Sequence, residues 1–230
     1  MPPPSSPNFT AVEIRVRVTK GCEAGVDVAR RFVENMGAGD VLFKLDFANA
    51  FNYLHTNHML HIVKEVVLKI FCFCYSAYRY QSTLQFGSFS ISSQFDPQQG
   101  DPLAGLLFCL AIQEFLRSTR STSFSGYMND ITLVGNVNDI SRDVELFKSE
   151  GEAIGLVLNV SKCEVISKSN ISNLIRSGPL RDFIALTIEE STLLDAPLSG
   201  GSALDSGLAN TIAKLRTALG RIELLQHMKR

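Results

Sequence analysis

The sequence lacks an excess of charge of either sign. Its 22 Lys and Arg residues nearly balance its 23 Asp and Glu residues, which leaves a formal net charge of −1. Phosphate affinity comes from clustered Lys and Arg, so any nucleic-acid surface on this chain has to be a local patch. The hydrophobic fraction of 45% and the charged fraction of 20% exclude a disordered chain. They predict a globular protein of one or two domains.

The sequence also lacks paired cysteine motifs and long apolar runs. None of its five cysteines forms a CxxC pair or accompanies a His cluster, so we interpret them as buried thiols in a reducing compartment. No apolar run is long enough to span a bilayer. The opening MPPPSSPNFT has neither a basic nor an apolar signal-peptide region. We therefore expect an intracellular protein, nuclear or cytoplasmic, that is not secreted and has no membrane partner.

Periodic apolar residues predict alternating helices and strands. Residues 22–36 carry a helical apolar stripe, and VLFKLDF (41–47) alternates as a strand with Asp46 on its polar face. A helix is predicted from Thr56 to the low seventies, with a continuation to Tyr80 after a bend. The elements predicted after these are a hairpin at Gly87-Ser88, a helix with Asp101 as N-cap and Pro102 at its first position, a hairpin over 126–135, a helix over 139–154 ended by Gly155, a strand–turn–strand over 156–167 and an amphipathic helix over 203–226. Helices alternating with an antiparallel sheet predict the α+β class.

Three windows carry the residues of chemical interest: LDFANAF (45–51), QQGDPLAGLLF (98–108) and GYMND (126–130). Asn129-Asp130 between β-prone runs is what an ordinary tight turn needs. If Asp46 and Asp130 lie side by side, however, their carboxylates can hold Mg²⁺ together with substrate phosphates. Two such metal ions support phosphoryl transfer. Each window alone is typical of a turn or strand end, and their order favours the catalytic interpretation.

In this order the windows resemble the palm of a reverse transcriptase of the kind carried by non-LTR (LINE-like) retroelements. FKLDFANAFN resembles the first metal-binding motif, QQGDPLAGLLF a QGDPLSPLLF-type motif, and GYMND the Y-x-D-D hairpin. EAIGLVLNVSKCEVI and LLDAPLS are similar to the two segments that follow, so the resemblance extends from Gly21 to the end of the chain. It implies a right-hand polymerase palm with an antiparallel sheet packed on helices, a partial fingers region and a truncated thumb-side segment.

The resemblance also implies a chemistry and a set of partners. The chemistry is RNA-directed DNA synthesis with two Mg²⁺ ions, an RNA template, a DNA primer and dNTP. The implied metal ligands are the carboxylates of Asp46 and Asp130 and the main-chain carbonyl of Phe47. Asn129 occupies the position of the first Asp of the catalytic pair.

Further residues match positions that contact substrate in the family. Phe51 falls at the aromatic gate against the ribose 2′-hydroxyl, Gln99 and Gly100 match positions that contact the nascent base pair, and Tyr127 matches a substrate-binding position. Lys162 matches a lysine near the leaving pyrophosphate that acts as a general acid. Alternative interpretations are core packing for Phe51, a loop before a helix cap for Gln99 and Gly100, and a solvated surface lysine for Lys162.

The sequence departs from the family pattern at the catalytic pair. Asn129 offers a neutral carbonyl where the family has a carboxylate, so one negative charge is missing. Loss of one electrostatic stabiliser costs roughly 10²–10³ in rate. We expect the fingers segment that would precede Gly21 to be missing or replaced by the Pro/Ser-rich start, and Asp195 replaces a glycine. Asn129→Asp alone is therefore expected to restore only part of any activity.

These observations predict three regions: a poorly ordered tail or fingers remnant over 1–20, a palm-like domain over 21–167 and a truncated thumb-proximal segment over 168–230. We interpret the chain as a polymerase-derived domain with little or no activity. Three alternatives remain: an active enzyme that tolerates Asn129, a non-catalytic module that binds RNA or a protein, and an unrelated α+β protein.

Overall fold

This computed structural model describes residues 21–80, 82–93, 101–127, 130–168 and 178–227. The predicted tail over 1–20 lies outside these ranges. The helices are α1 (Gly21–Glu34), α2 (Ala50–Tyr53), α3 (Thr56–Val66), α4 (Leu68–Tyr78), α5 (Ala104–Ser118), α6 (Val137–Ala153) and α7 (Ser202–His227). The strands are β1 (Asp40–Leu45), β2 (Ser82–Phe86), β3 (Phe89–Ser93), β4 (Thr122–Tyr127), β5 (Asp130–Asn136), β6 (Glu164–Ser167), β7 (Ile184–Thr187), β8 (Thr192–Leu193) and β9 (Ala196–Pro197).

A five-stranded sheet organises the molecule, with strand order β4-β5-β1-β6-β7. β1 is central and pairs antiparallel with both β5 and β6, while β6 and β7 pair in parallel. Strands β2 and β3 form a separate hairpin, as do β8 and β9. The predicted α+β class, an antiparallel sheet packed on helices, is confirmed.

The two faces of the sheet have different coverings because side chains alternate along each strand. On one face, Val41, Phe43 and Leu45 of β1 join a large core with buried residues of helices α3 to α6. On the other face, Leu42 lies in a smaller core with α1 and the β8–β9 hairpin. That smaller core does not include Lys44, the next residue on this face. Asp46 and Asp130, two of the predicted catalytic residues, lie at the polar end of this face.

Most predicted elements are present, including the bend between α3 and α4 at Val67. The regular helix α5 begins at Ala104, two residues after the predicted first position. The Asp101 carboxylate nevertheless accepts a hydrogen bond from the Leu103 N–H at 2.7 Å, which is the bond expected of the predicted N-cap.

The segment 156–167 is more irregular than predicted. Its first part forms an isolated bridge between Phe47 and Leu158, and only its second part becomes the strand β6. The chain continues the same sheet beyond residue 167, because β7 pairs with β6 and Phe183 joins the larger core.

The predicted amphipathic helix is α7, and its apolar stripe is exposed. The exposed large side chains are Leu208, Ile212, Leu215, Leu219 and Ile222. None of the helices in the described ranges is both long enough and apolar enough to cross a membrane. The prediction that all five cysteines are buried was wrong, since Cys22 and Cys72 are exposed.

Candidate active site

Asp46 follows the central strand and lies on its polar face. Leu45 and Phe47, its neighbours in sequence, are buried in the large core, each with 2% of its surface exposed. The alternation therefore directs Asp46 away from that core, on the same side as Lys44. The Phe47 ring packs near Phe147, so this residue can face the site only through its main chain.

The main chain of Asp46 is fixed from both directions by the segment that precedes β6. The Asp46 N–H donates to Cys163 Sγ at 3.4 Å, and the Asp46 carbonyl accepts from the Asn159 N–H at 2.8 Å. The Cys163 thiol also lies within 3.5 Å of that carbonyl. Ala48 donates its N–H to the Val157 carbonyl at 2.8 Å. These contacts hold the end of β1 in place.

Asp130 is the first residue of β5, directly beyond the last paired residues of β1. Leu45 pairs with Ile131, so Asp46 and Asp130 come next at the same end of two adjacent strands. Asp130 also pairs with Tyr127, the last residue of β4. The two-residue connection between these strands includes Asn129, which lies outside the described residues.

One cavity of about 630 Å³ contains both carboxylates, with Lys44, Lys162 and Glu164 among its other lining residues. Partial removal from water, followed by the nearby Asp46 charge, raises the pKa of Asp130. Lys44 and Lys162 act in the opposite direction on the same pKa. Two carboxylates that repel each other in one cavity fit a divalent cation, which would relieve the repulsion.

The cation would depend on this pair and its main-chain neighbours. Within the ranges that the structure describes, no three His, Cys, Asp or Glu side chains are grouped so that they could hold a metal ion.

Phe51 lies beside a second cavity, of about 320 Å³, which Asp46 and Lys162 also line. Asn49 adopts a left-handed conformation (φ 46°) at the start of α2, so the chain reverses within a few residues of Asp46. Asn tolerates this region better than most residues. The Phe51 ring also packs on Phe108 with ring centroids 4.9 Å apart. Phe51 is thus half-buried against the core and lines the cavity at the same time.

Lys162 is exposed and lines both cavities. It ends a tight turn in which its N–H donates to the Asn159 carbonyl at 2.9 Å. Of the remaining predicted site residues, Tyr127 is placed only by its backbone pairing, and Gln99 and Gly100 lie outside the described residues.

Sequence reasoning missed three residues that surround the pair: Lys44, Glu164 and Cys163. Lys44 was detectable, since it precedes Asp46 by two residues and must share its face. Glu164 and Cys163 depend on the register between β1 and β6, which joins residues 117 to 120 positions apart. A pattern within one short segment of the sequence gives no information about that register.

A sequence model of the family "Reverse transcriptase (RNA-dependent DNA polymerase)" matches residues 4–177. A search of curated proteins finds no match. Among solved structures, apo telomerase from Candida tropicalis is 13% identical, with a TM-score of 0.50, over 66% of this chain and 33% of that one. Telomerase from Candida albicans, in complex with a TWJ fragment of telomeric RNA, is 12% identical, with a TM-score of 0.50, over 67% of this chain and 32% of that one.

The structural matches concern the fold, and the chain spans about a third of the length of these telomerases. Their shared architecture agrees with the palm-like sheet described above. The family match covers well over half of the chain and includes Asp46, Asp130 and Lys162. The chain therefore belongs to the reverse transcriptase (RNA-dependent DNA polymerase) family.

Proposed function

We propose that this chain is the palm region of a non-LTR retroelement reverse transcriptase whose nucleotidyl transfer is crippled by Asn129. The observation that carries the proposal is the cavity in which Asp46 and Asp130 meet at the ends of paired strands, with Lys162 at its wall. In this proposal residues 21–167 form the palm, 168–230 lead towards the thumb, and the protein acts in the nucleus or cytoplasm.

Reverse transcriptases generally use divalent metal ions, and the residues present suit Mg²⁺. The carboxylates of Asp46 and Asp130 and the carbonyl of Phe47 would be its ligands. Bound Mg²⁺ would lower the pKa of the primer hydroxyl and stabilise the charge on the leaving oxygen. Asp46 is suited to be a metal ligand because its main chain is held by contacts with Asn159 and Cys163.

The remaining residues act on the nucleotide and the strands. The Phe51 ring beside Asp46 would collide with a ribose 2′-hydroxyl, which favours dNTP over NTP. Lys162 would donate a proton to the leaving pyrophosphate. Gln99 and Gly100 would contact the nascent base pair between an RNA template and a DNA primer, and Tyr127 would bind substrate.

Asn129 removes one negative charge from the ligands of these cations. A neutral amide oxygen ligates Mg²⁺ weakly and offsets none of its charge. Loss of a preorganised electrostatic contact costs roughly 10²–10³ in rate. The proposal therefore combines a retained fold with strongly reduced catalysis.

Primer extension on an RNA template with Mg²⁺ tests this proposal. We expect no measurable dNTP incorporation by the wild type and measurable but partial incorporation by Asn129→Asp, because one restored electrostatic contact is worth roughly 10²–10³ in rate. The control is Asn129→Asp combined with Asp46→Asn, which removes the carboxylate at the end of β1 and should abolish the gain.

Robust extension by the wild type would contradict the loss of catalysis. If Asn129→Asp stays inactive while the wild type binds RNA on filters with a steep salt dependence, the retained function would be RNA binding by a non-catalytic module. A module that binds only a protein partner would show neither behaviour.

A further inference from the structure

Lys44 and Glu164 form an ion pair in the lining of the cavity that also includes Asp46 and Asp130. They face each other across β1 and β6, and Lys44 Nζ lies 2.6 Å from Glu164 Oε2. About a quarter of each side chain is exposed. This pair is therefore better protected from solvent than an ordinary surface ion pair.

The position of Lys44 allows its ammonium group to reach either of two carboxylates, those of Glu164 and Asp130. On β5 it faces the uncharged Thr132, and Asp130 lies two residues further along the same face. Diagonal neighbours of this kind are within reach of long side chains. The flexible four-carbon stem of lysine can therefore place the charge on Glu164 or swing it towards Asp130. In the structure it is on Glu164.

We propose that Glu164 is a positioning residue that holds the Lys44 ammonium away from Asp130 and so sets the cation affinity of the Asp46–Asp130 cavity. The inference rests on the proposed function, because it concerns the same carboxylate pair. Without Glu164, the ammonium group would move to Asp130 and compete with a divalent cation as an intramolecular counter-ion.

Direct binding of Mn²⁺, followed by the electron paramagnetic resonance signal of the free ion, tests the inference without any catalytic readout. We expect Glu164→Gln to weaken binding about tenfold and Lys44→Met to strengthen it by a similar factor, as expected for one unit charge several ångströms from a dication in a partly solvated site. Glu164→Gln preserves the shape of the side chain, and thermal unfolding verifies that each variant folds.

The double variant separates positioning from a simple loss of charge. If Glu164 acts only through its own charge, Glu164→Gln weakens Mn²⁺ binding by the same factor with or without Lys44. If it also positions Lys44, the substitution weakens Mn²⁺ binding by a clearly smaller factor in the Lys44→Met background, where only the loss of its own charge remains. Equal factors in the two backgrounds would overturn the inference.

Two controls show whether a negative result concerns only the role of Glu164 or the proposed function itself. Asp27→Asn makes the same type of charge change in the exposed Asp27–Arg31 pair of α1, and should leave Mn²⁺ binding unchanged. Asp46→Asn should abolish binding. If the wild type shows no Mn²⁺ binding that depends on Asp46, the proposed function itself fails. If that binding is present and the double variant is additive, only the role of Glu164 fails.

Discussion

At the residue scale, Gly155 joins the end of α6 to the segment that holds Asp46. Its φ of +89° lies in the left-handed region, and a Cβ atom here would overlap the Tyr53 carbonyl oxygen and lie 2.8 Å from the His55 ring. The close approach is maintained by a hydrogen bond from the His55 N–H to the Ile154 carbonyl at 2.8 Å. Only glycine satisfies both the conformation and the space.

We predict that Gly155→Ala lowers the free energy of unfolding by roughly 2–4 kcal/mol, because backbone strain and overlap with a main-chain atom add together. Gly220→Ala is the matched control. Gly220 lies within α7 with no atom within 4 Å of an added Cβ, so alanine should raise the free energy of unfolding by up to about 1 kcal/mol. Urea unfolding measures both. Equal effects of the two substitutions would contradict this account of Gly155.

At the element scale, α6 holds the entry to β4 through one buried carboxylate. Asp143 is 1% exposed and accepts hydrogen bonds from the N–H groups of Arg120 at 3.0 Å and Ser121 at 2.7 Å. It also accepts from the Ser121 hydroxyl. The contact positions the hairpin that carries Asp130.

Asp143→Ala should lower the free energy of unfolding by roughly 2–4 kcal/mol, since it leaves two backbone donors without their partner. Glu145→Ala, at an exposed position of the same helix, should change it by no more than about 0.5 kcal/mol. Chemical denaturation of both variants gives the comparison. A loss below 1 kcal/mol for Asp143→Ala would mean that water replaces the carboxylate there.

The same scale explains how much of this molecule could be predicted from sequence. Alternation placed β1 and directed Asp46 away from the core, because one strand contains the whole signal. The ordered motifs brought Asp46 and Asp130 together, since the register of β1 and β5 follows from the family resemblance. The partnership of Lys44 with Glu164 was not predictable, because it needs the register of β6. The amphipathic pattern of α7 predicted a helix but contained no information about its partner.

At the scale of the whole molecule, a single sheet lies between two hydrophobic cores. The reactivity of the cysteines indicates whether this fold is intact. Cys22 and Cys72 are exposed, whereas Cys74, Cys109 and Cys163 are buried. Burial raises the pKa of Cys109 and of Cys163 from 9.0 to about 11. These two thiols therefore stay protonated in the folded chain at pH values where an unfolded chain already ionises them.

We predict that iodoacetamide at pH 8 modifies Cys22 and Cys72 in the folded protein, and all five cysteines only after denaturation, as measured by mass spectrometry of the peptides. Because the folded chain binds more protons than the unfolded chain between pH 9 and about pH 11, its free energy of unfolding should fall as pH rises through that window. Replacing Cys109 and Cys163 together by alanine should flatten this fall, although the cavities lower stability at every pH. Rapid modification of Cys163 at pH 8 without unfolding would show that the main chain of Asp46 is less firmly held than its contacts with Cys163 and Asn159 indicate.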